Sequence, residues 1–381
     1  MSKLRVAYVI NDANFFVSHR LPLALSVIKK GGNVTVITGT NINIKLENEA
    51  SDLLKKNKIS HKRCNFSQGF TNPILEILGL FQLVYFLKKF KPTTLHSVTA
   101  KGNFMALISL IFLKKTKLIM SVSGLGTMFT GKINLKKKIY IFLYKLLLKF
   151  SLLRTNYNII FQNQDDYNQF KSLVKLNSNR IKFVSGSGVD TSYFLPRKLK
   201  SKSNQRNILL PARMLYEKGI SEFVDAAIIL KKRKIKTNFF LAGDIASLNP
   251  SRIPKEKILS WVKSGIVNYL DYQKDMRSLY NQMDIICLPS WREGFPKVLM
   301  EAASCGLPTI TTDVPGCKHA IINNKTGFLV PLKDSISLAD AIEKLIKDKK
   351  LQELMGKAGR ALALNKFDLK IIIPQIVNLY E

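Results

Sequence analysis

Apolar residues run without a break from Leu4 to Ile10, the pattern of a parallel strand covered on both faces. After a loop, Leu21, Leu23, Leu25, Val27 and Ile28 precede Gly31-Gly32, which predicts a helix and its stop. Val34–Thr38 reads as the next strand. The alternation continues through a strand at Thr93–Ser97, a helix over 102–113, a strand at Leu118–Val122, a long helix near 135–153 and a strand at Asn158–Gln162. A polar stretch, Arg197–Asn207, then breaks the pattern and reads as a linker. Alternation restarts with a strand at Asn207–Ala212, a helix at Ser221–Lys232 and a strand at Asn238–Ala242. Further strands fall at Asp284–Pro289, Pro308–Thr312 and Gly327–Val330, with helices near 335–348, 351–364 and 369–380. Such alternation predicts an α/β fold of doubly wound parallel sheets. At 381 residues two cores fit better than one.

Charge changes this picture more than composition does. The net charge is +34, and residues 1–185 hold 29 Lys/Arg against 7 Asp/Glu, a net +22. A field of that sign attracts nucleic acid, anionic lipid or phosphorylated substrates without choosing among them. No zinc-finger, RNP or helix-turn-helix signature accompanies it, which argues against a nucleic-acid-binding protein. Cys64, Cys287, Cys305 and Cys317 form no C-x-x-C pair and read as buried free thiols of a reducing compartment. The N-terminus is one short apolar strand with no signal-peptide pattern. The charge-free apolar run Gly102–Leu113 spans 12 residues, short of the ~20 that a membrane-crossing helix needs.

The sharpest chemical signal is Ser290-Trp291-Arg292-Glu293-Gly294-Phe295-Pro296-Lys297-Val298-Leu299-Met300-Glu301. It follows the strand at 284–289 and opens a helix. Ligands of open α/β sheets bind outside the carboxyl ends of strands, where loop amides and helix N-termini face the crevice. Gly294 lets the backbone approach a ligand, and Pro296 suits a first helical turn. Glu293 and Glu301, eight apart, fall on roughly one helix face, where both accept hydrogen bonds from sugar hydroxyls. Read without a ligand, they are a capping acid and a solvated surface residue.

With Cys305-Gly306-Leu307-Pro308 behind it, this segment resembles the E-x(7)-E region of glycosyltransferase family 4, of GT-B fold. Pro211-Ala212-Arg213-Met214-Leu215-Tyr216-Glu217-Lys218-Gly219 is similar to the family's strand–R-x(4)-KG segment. The resemblance implies two Rossmann-like domains facing a cleft: 1–190 for the acceptor, 191–365 for a nucleotide-sugar, and 366–381 as a helix crossing back. It implies a donor site of Arg213, Lys218, Glu293, Gly294, Phe295, Pro296, Glu301 and Gly188. In it Arg213 and Lys218 hold the diphosphate, Glu301 the ribose and Glu293 the donor sugar, with Glu293, Arg213 and Lys218 catalytic. Two fixed cations there stabilise a leaving diphosphate as it gains charge. Gly188 lies in Gly186-Ser187-Gly188-Val189-Asp190, which matches the family's G-V-D segment and also reads as a simple turn.

The N-terminal half resembles a subgroup that builds bacterial surface polysaccharides. The segments are Phe16-Val17-Ser18-His19-Arg20-Leu21-Pro22, His96-Ser97-Val98-Thr99-Ala100-Lys101-Gly102 and Val122-Ser123-Gly124-Leu125-Gly126-Thr127. All three are expected at strand ends along one crevice, with His19, Ser97, Thr99, Lys101, Gly124 and Gly126 toward the acceptor. Val98 stands where many members of the wider family carry a histidine. The resemblance implies a retaining transferase that moves a hexose or N-acetylhexosamine, from a UDP-sugar by preference, to a lipid-linked saccharide of capsule, O-antigen or glycoprotein glycan. A sugar-nucleotide epimerase of the same fold is the alternative. No D-x-D pair occurs, so no metal or other cofactor is expected beside Arg213 and Lys218. The helix near 135–153 mixes Lys138, Lys145 and Lys149 with Phe, Tyr and Leu. It predicts a peripheral protein on the inner face of the cell membrane, or else a core helix with lysines on its wet edge.

Overall fold

The computed structural model describes residues 3–40, 43–67, 72–113, 115–124, 135–197, 205–245, 249 and 251–381. The chain divides into two compact units, Met1–Ser187 with Ile372–Glu381, and Gly188–Ile371. The divisions expected from the sequence were at 190 and 365.

The first unit begins β1 (Arg5–Ile10), α1 (Ala13–Lys29), β2 (Asn33–Thr40), α2 (Ile44–Lys56), β3 (Ser60–Ser67) and α3 (Pro73–Phe90). It continues β4 (Thr94–Val98), α4 (Ala100–Ser109), β5 (Lys117–Val122), α5 (Leu135–Arg154), β6 (Tyr157–Phe161), α6 (Gln164–Phe170) and β7 (Ile181–Phe183). Its seven strands are parallel in the order β3-β2-β1-β4-β5-β6-β7. Alternate residues of β1 enter opposite cores. Val6, Tyr8 and Ile10 meet α1, α2 and the C-terminal residues Ile372–Tyr380. Ala7 and Val9 meet α3, α4 and α5. A doubly wound sheet needs this two-sided burial, and it explains the unbroken apolar run.

The residues carried home at the C-terminus are tied to a buried polar chain. The Tyr380 hydroxyl lies 2.9 Å from that of Tyr8 and 2.6 Å from His96 Nδ1, and His96 Nε2 lies 2.8 Å from Ser121 Oγ. His96 is therefore spent inside the first unit. Burial, and then the Arg20 charge, hold its pKa well below the usual histidine value. His61, between Thr38 Oγ1 and Ser51 Oγ, is lowered to about 4 by burial, then by Arg63 and Lys62. Both rings stay neutral when folded, whereas unfolded histidines take up a proton below about pH 6.5. Stability is therefore fully present above that pH and falls as pH drops from about 6.5 towards 4. The buried His96 alone contributes a slope of about 1.4 kcal/mol per pH unit. Urea unfolding at about pH 7.5 and about pH 5 tests this, and His96→Gln should flatten the fall.

The second unit runs β8 (Arg206–Pro211), α7 (Ile220–Lys232), β9 (Thr237–Ala242), α8 (Lys255–Lys263), β10 (Asn268–Tyr269), α9 (Met276–Asn281) and β11 (Ile285–Leu288). It ends α10 (Lys297–Ser304), β12 (Thr309–Thr312), α11 (Cys317–Ala320), β13 (Gly327–Val330), α12 (Ser335–Lys347) and α13 (Lys349–Leu362), and α14 (Leu369–Val377) bridges the division. Its strands are parallel in the order β10-β9-β8-β11-β12-β13. In each unit the order reverses once, between β1 and β4 and between β8 and β11. Those are the two places where a doubly wound sheet opens a crevice at its carboxyl edge.

Candidate functional site

In the second unit both motifs arrive at the reversal point. β8 delivers Ala212 and the exposed Arg213. The chain then makes one 3-10 turn, Tyr216–Lys218, closed by Gly219. Gly219 has φ +74°, and a Cβ there would lie 2.1 Å from the Pro289 carbonyl oxygen at the end of β11. Only glycine lets the two loops touch. They are also stitched by Trp291, whose backbone N–H donates to Glu217 O at 2.9 Å and whose indole donates to Glu222 Oε1 at 2.9 Å.

The loop after β11 sets Glu293. The Thr312 hydroxyl donates to Ser290 O, and Glu293 N–H donates to Pro315 O at 3.2 Å. Gly316 (φ +84°) allows this, since a Cβ would come within 2.2 Å of Glu293 O. So held, Glu293 Oε1 accepts from Lys218 Nζ at 2.6 Å and from Ser290 Oγ at 2.8 Å. The side chains of Lys218 and Glu293 are mostly but not fully buried, 18% and 16% exposed. A charge-assisted bond of this kind fixes the ammonium and leaves its remaining protons for an anion.

Glu301 is placed differently. Glu293 precedes α10, whereas Glu301 lies within it and is 6% exposed, so it is no solvated surface residue. Its Oε2 accepts from the Tyr280 hydroxyl at 3.0 Å, and its Oε1 lies 3.1 Å from Lys297 Nζ, one turn earlier. Tyr280 is fully buried. Desolvation, and then the Glu301 charge, push its pKa well up, so the phenol stays a donor. The carboxylate has four lone-pair sites, and these two partners leave acceptor capacity for hydroxyls.

Other expected donor residues do not all face a ligand. Phe295 turns inward, packed edge-on against Phe367 at 5.6 Å between ring centroids. Pro296 is buried and caps α10, while Gly294 stays partly exposed beside Glu293. Gly188, buried with φ +78°, starts the unit. Its neighbour Val189 N–H donates to Phe367 O at 2.8 Å. The sequence missed Tyr280, which lies on α9 with no local link to Glu301, and the supporting glycine at 316. Lys297 carried a legible signal, its i,i+4 spacing to Glu301. Cys287, Cys305 and Cys317 are buried and free, as is Cys64 in the first unit. Burial pushes Cys305 and Cys317 up to about 12, so neither is a ready nucleophile.

The first unit corrects two expectations. The segment 16–22 is not at a strand end but inside α1, which starts at Ala13 under an Asp12 cap and carries Pro22 within it. His19 stacks on Phe15 at 4.1 Å, with Nδ1 2.7 Å from Ser18 Oγ. Lys101 does not reach outward. It is 4% exposed and paired with Glu76 of α3 at 2.5 Å, a burial that sets it apart from an open anion contact. Ser97 is fully buried. Thr99 is the notable one: φ +70° and ψ 156° are strained for a non-glycine residue. Its hydroxyl donates to Asn11 Oδ1 at 2.6 Å across the β1/β4 reversal and accepts from Gly102 N–H at 3.3 Å. Close by at the end of β1, Glu47 accepts from Ala13 N–H with both oxygens; burial, then Asp12, raises its pKa. Gly124 follows β5 with φ +96°, and Gly126 lies outside the described residues. Among the described residues no three His, Cys, Asp or Glu side chains gather as metal ligands.

Known proteins resemble this chain in sequence and in fold. The family model described as glycosyl transferases group 1 matches residues 193–362, and glycosyl transferase 4-like matches 5–163. The N,N'-diacetylbacillosaminyl-diphospho-undecaprenol alpha-1,3-N-acetylgalactosaminyltransferase of Campylobacter jejuni is 30% identical over 83% of this chain and 84% of its own. The capsular polysaccharide biosynthesis glycosyltransferase CapM of Staphylococcus aureus is 27% identical over 80% and 81%. The fold superposes on Anabaena HepE, solved in complex with UDP-glucose, with a TM-score of 0.75 at 17% identity, covering 98% of each chain. With group 1 and 4-like models on its two units and a relative this similar along most of its length, the chain belongs to the GT-B glycosyltransferases of family 4 type.

Proposed function

We propose that this glycosyltransferase moves a hexose or N-acetylhexosamine, with retention and without a metal ion, from a UDP-sugar to a lipid-linked saccharide in bacterial surface-glycan assembly. The observation that carries the reading is the Lys218–Glu293–Ser290 contact at the β8/β11 reversal. It sets a cation and a hydroxyl-seeking carboxylate side by side where a diphosphate and its sugar would meet. In this reading Lys218 and Arg213 hold the diphosphate, Glu301 the ribose hydroxyls and Glu293 a sugar hydroxyl. As the bond from the anomeric carbon to the phosphate oxygen breaks, charge gathers on the diphosphate, and the two cations stabilise it. The acceptor hydroxyl forms the new bond on the same face and passes its proton to the departing phosphate oxygen, which conserves configuration. The name of the Campylobacter relative supports a lipid diphosphate acceptor, and that of the Staphylococcus relative supports capsule assembly. An acceptor anchored in lipid would put the enzyme at the inner face of the cell membrane, with the lysine-bearing helix at 135–153 against it. Thr99 and Gly124 at the carboxyl edge of the first sheet are the acceptor contacts we assign, in preference to the buried Lys101.

The test is a thermal-shift comparison of UDP, GDP and ADP, followed by transfer assays with and without EDTA. A ligand at a hundred times its Kd adds about 2.7 kcal/mol of stability. UDP should raise Tm by several degrees and the others less, and transfer should survive chelation. Activity lost to EDTA and restored by magnesium or manganese would overturn the metal-free reading. No shift with any nucleotide would overturn the donor site.

A further inference from the structure

Two helices of the first unit are apolar on the side that turns away from the protein. α3 buries Gly79, Leu83 and Leu87 against the sheet. At about 3.6 residues per turn, Ile74, Leu78, Phe81 and Tyr85 fall on the opposite side, and they are 70%, 46%, 66% and 59% exposed. α5 repeats the arrangement. Tyr140, Tyr144 and Leu148 are buried, while Leu135, Ile139, Phe142, Leu146, Phe150 and Leu153 form an exposed row on the far side. Both helices pack on the same face of the sheet, flanking α4. Residues 135–153 thus combine a core side with an exposed apolar side. A patch of this extent on a monomer's surface marks a contact site.

The chain that carries these helices bears charge of one sign. From Ile77 to Gln164 the chain has fourteen Lys/Arg and no Asp or Glu. The acid just before, Glu76, is turned in upon Lys101. Lys88 stands 5.9 Å from the Phe112 ring and Arg154 4.9 Å from the Phe150 ring, cations at the border of the grease. Beside α5 a cavity of about 900 Å³ is walled by Phe142, Leu146, Leu153, Leu173, Val174 and Leu176 and edged by Lys145, Lys149 and Lys175. Apolar walls under ammonium groups suit an anionic amphiphile.

From this we infer that the outer faces of α3 and α5 together form the surface by which the first unit seats in an anionic phospholipid bilayer, with the cavity beside α5 taking one anionic lipid. A symmetric contact between two copies of the chain would bring each lysine row against its twin. An anionic leaflet neutralises the same rows, at about 1 kcal/mol for each basic residue near the surface. The inference rests on the lipid-linked acceptor proposed above, and it enlarges the membrane face from one helix to two.

The test is sedimentation of the full chain with phosphatidylcholine vesicles, with and without phosphatidylglycerol. Wild type should pellet with the anionic vesicles. The combined change Ile77→Asp, Phe81→Asp and Phe142→Asp, all at exposed positions, should lower the bound-to-free ratio about tenfold or more. Lys145→Gln, Lys149→Gln and Lys175→Gln should remove the preference for phosphatidylglycerol. The UDP thermal shift, a property of the second unit, should persist in both variants, which shows them folded and separates failure of this surface from failure of the transferase reading. Wild type that stays in the supernatant, aspartate variants that pellet like wild type, or a wild-type dimer that the aspartates dissociate would each overturn the inference.

Discussion

Lys218→Ala should lower kcat by about two to three orders of magnitude while leaving the donor KM within a few-fold. The reasoning is differential. The diphosphate gains charge only as the glycosidic bond breaks, so a fixed ammonium contributes most in the transition state, and removal of one such preorganised donor costs about 10²–10³ in kcat. The ion pair sharpens the expectation. Lys218 Nζ sits 2.6 Å from Glu293 Oε1, so its loss also frees a mostly buried carboxylate held otherwise by Ser290. Glu293→Gln should therefore be damaging on the wild-type background and much less so beside Lys218→Ala, with a coupling energy of roughly 1–3 kcal/mol in a double-mutant cycle. Steady-state kinetics on the four proteins decide it. Full turnover by Lys218→Ala, or strict additivity, would remove this pair from the chemistry.

The second large effect is at Glu301, where affinity and stability separate by the choice of substitution. A carboxylate bonded to ribose hydroxyls acts equally in the ground and transition states, so its loss should appear in KM. A charged hydrogen bond contributes about 1.5–3 kcal/mol, which is a rise of roughly 10- to 150-fold in donor KM for Glu301→Ala. That variant also leaves the fully buried Tyr280 hydroxyl without its acceptor, at a stability cost of about 1–3 kcal/mol. Glu301→Gln keeps a carbonyl for Tyr280 and should restore most of the melting temperature, though not the donor affinity. Arg213→Ala, at an exposed position, should weaken activity with the melting temperature almost unchanged. Measuring KM and Tm across the three variants tests each clause. An unaltered KM in Glu301→Ala would place the ribose elsewhere.

Family membership and both sheets were legible in the sequence because the signals are local. A strand buried on two faces has to be apolar throughout, as Arg5–Ile10 and Ile285–Leu288 nearly are, and the glycines and prolines that end elements sit beside them in the chain. The segments at 211–219 and 290–301 could be placed at strand ends for the same reason. Local signals failed between β2 and β4, at α6 and the edge strands β7 and β10, and at α8 and α9. β3 is an edge strand whose sequence, SHKRCNFS, is mostly polar, and α3 is apolar on both sides, so neither shows the period of its element. Likewise α1 begins eight residues before Leu21, because Asp12 caps it and Ala13 and Phe16 supply its first buried contacts.

The sequence by itself determined which residue types gather at the carboxyl edges of the sheets, since β8 and β11 must end where Arg213 and Glu293 follow. Only the tertiary structure decided what each of them touches. Lys218 meets Glu293 across 75 residues and Tyr280 meets Glu301 across 21, while Lys101 is drawn inward to Glu76. A charged side chain is as apt in sequence for a ligand as for a neighbour. The choice is made by whichever opposite charge the packed elements bring within hydrogen-bond reach, and distance along the chain does not encode that.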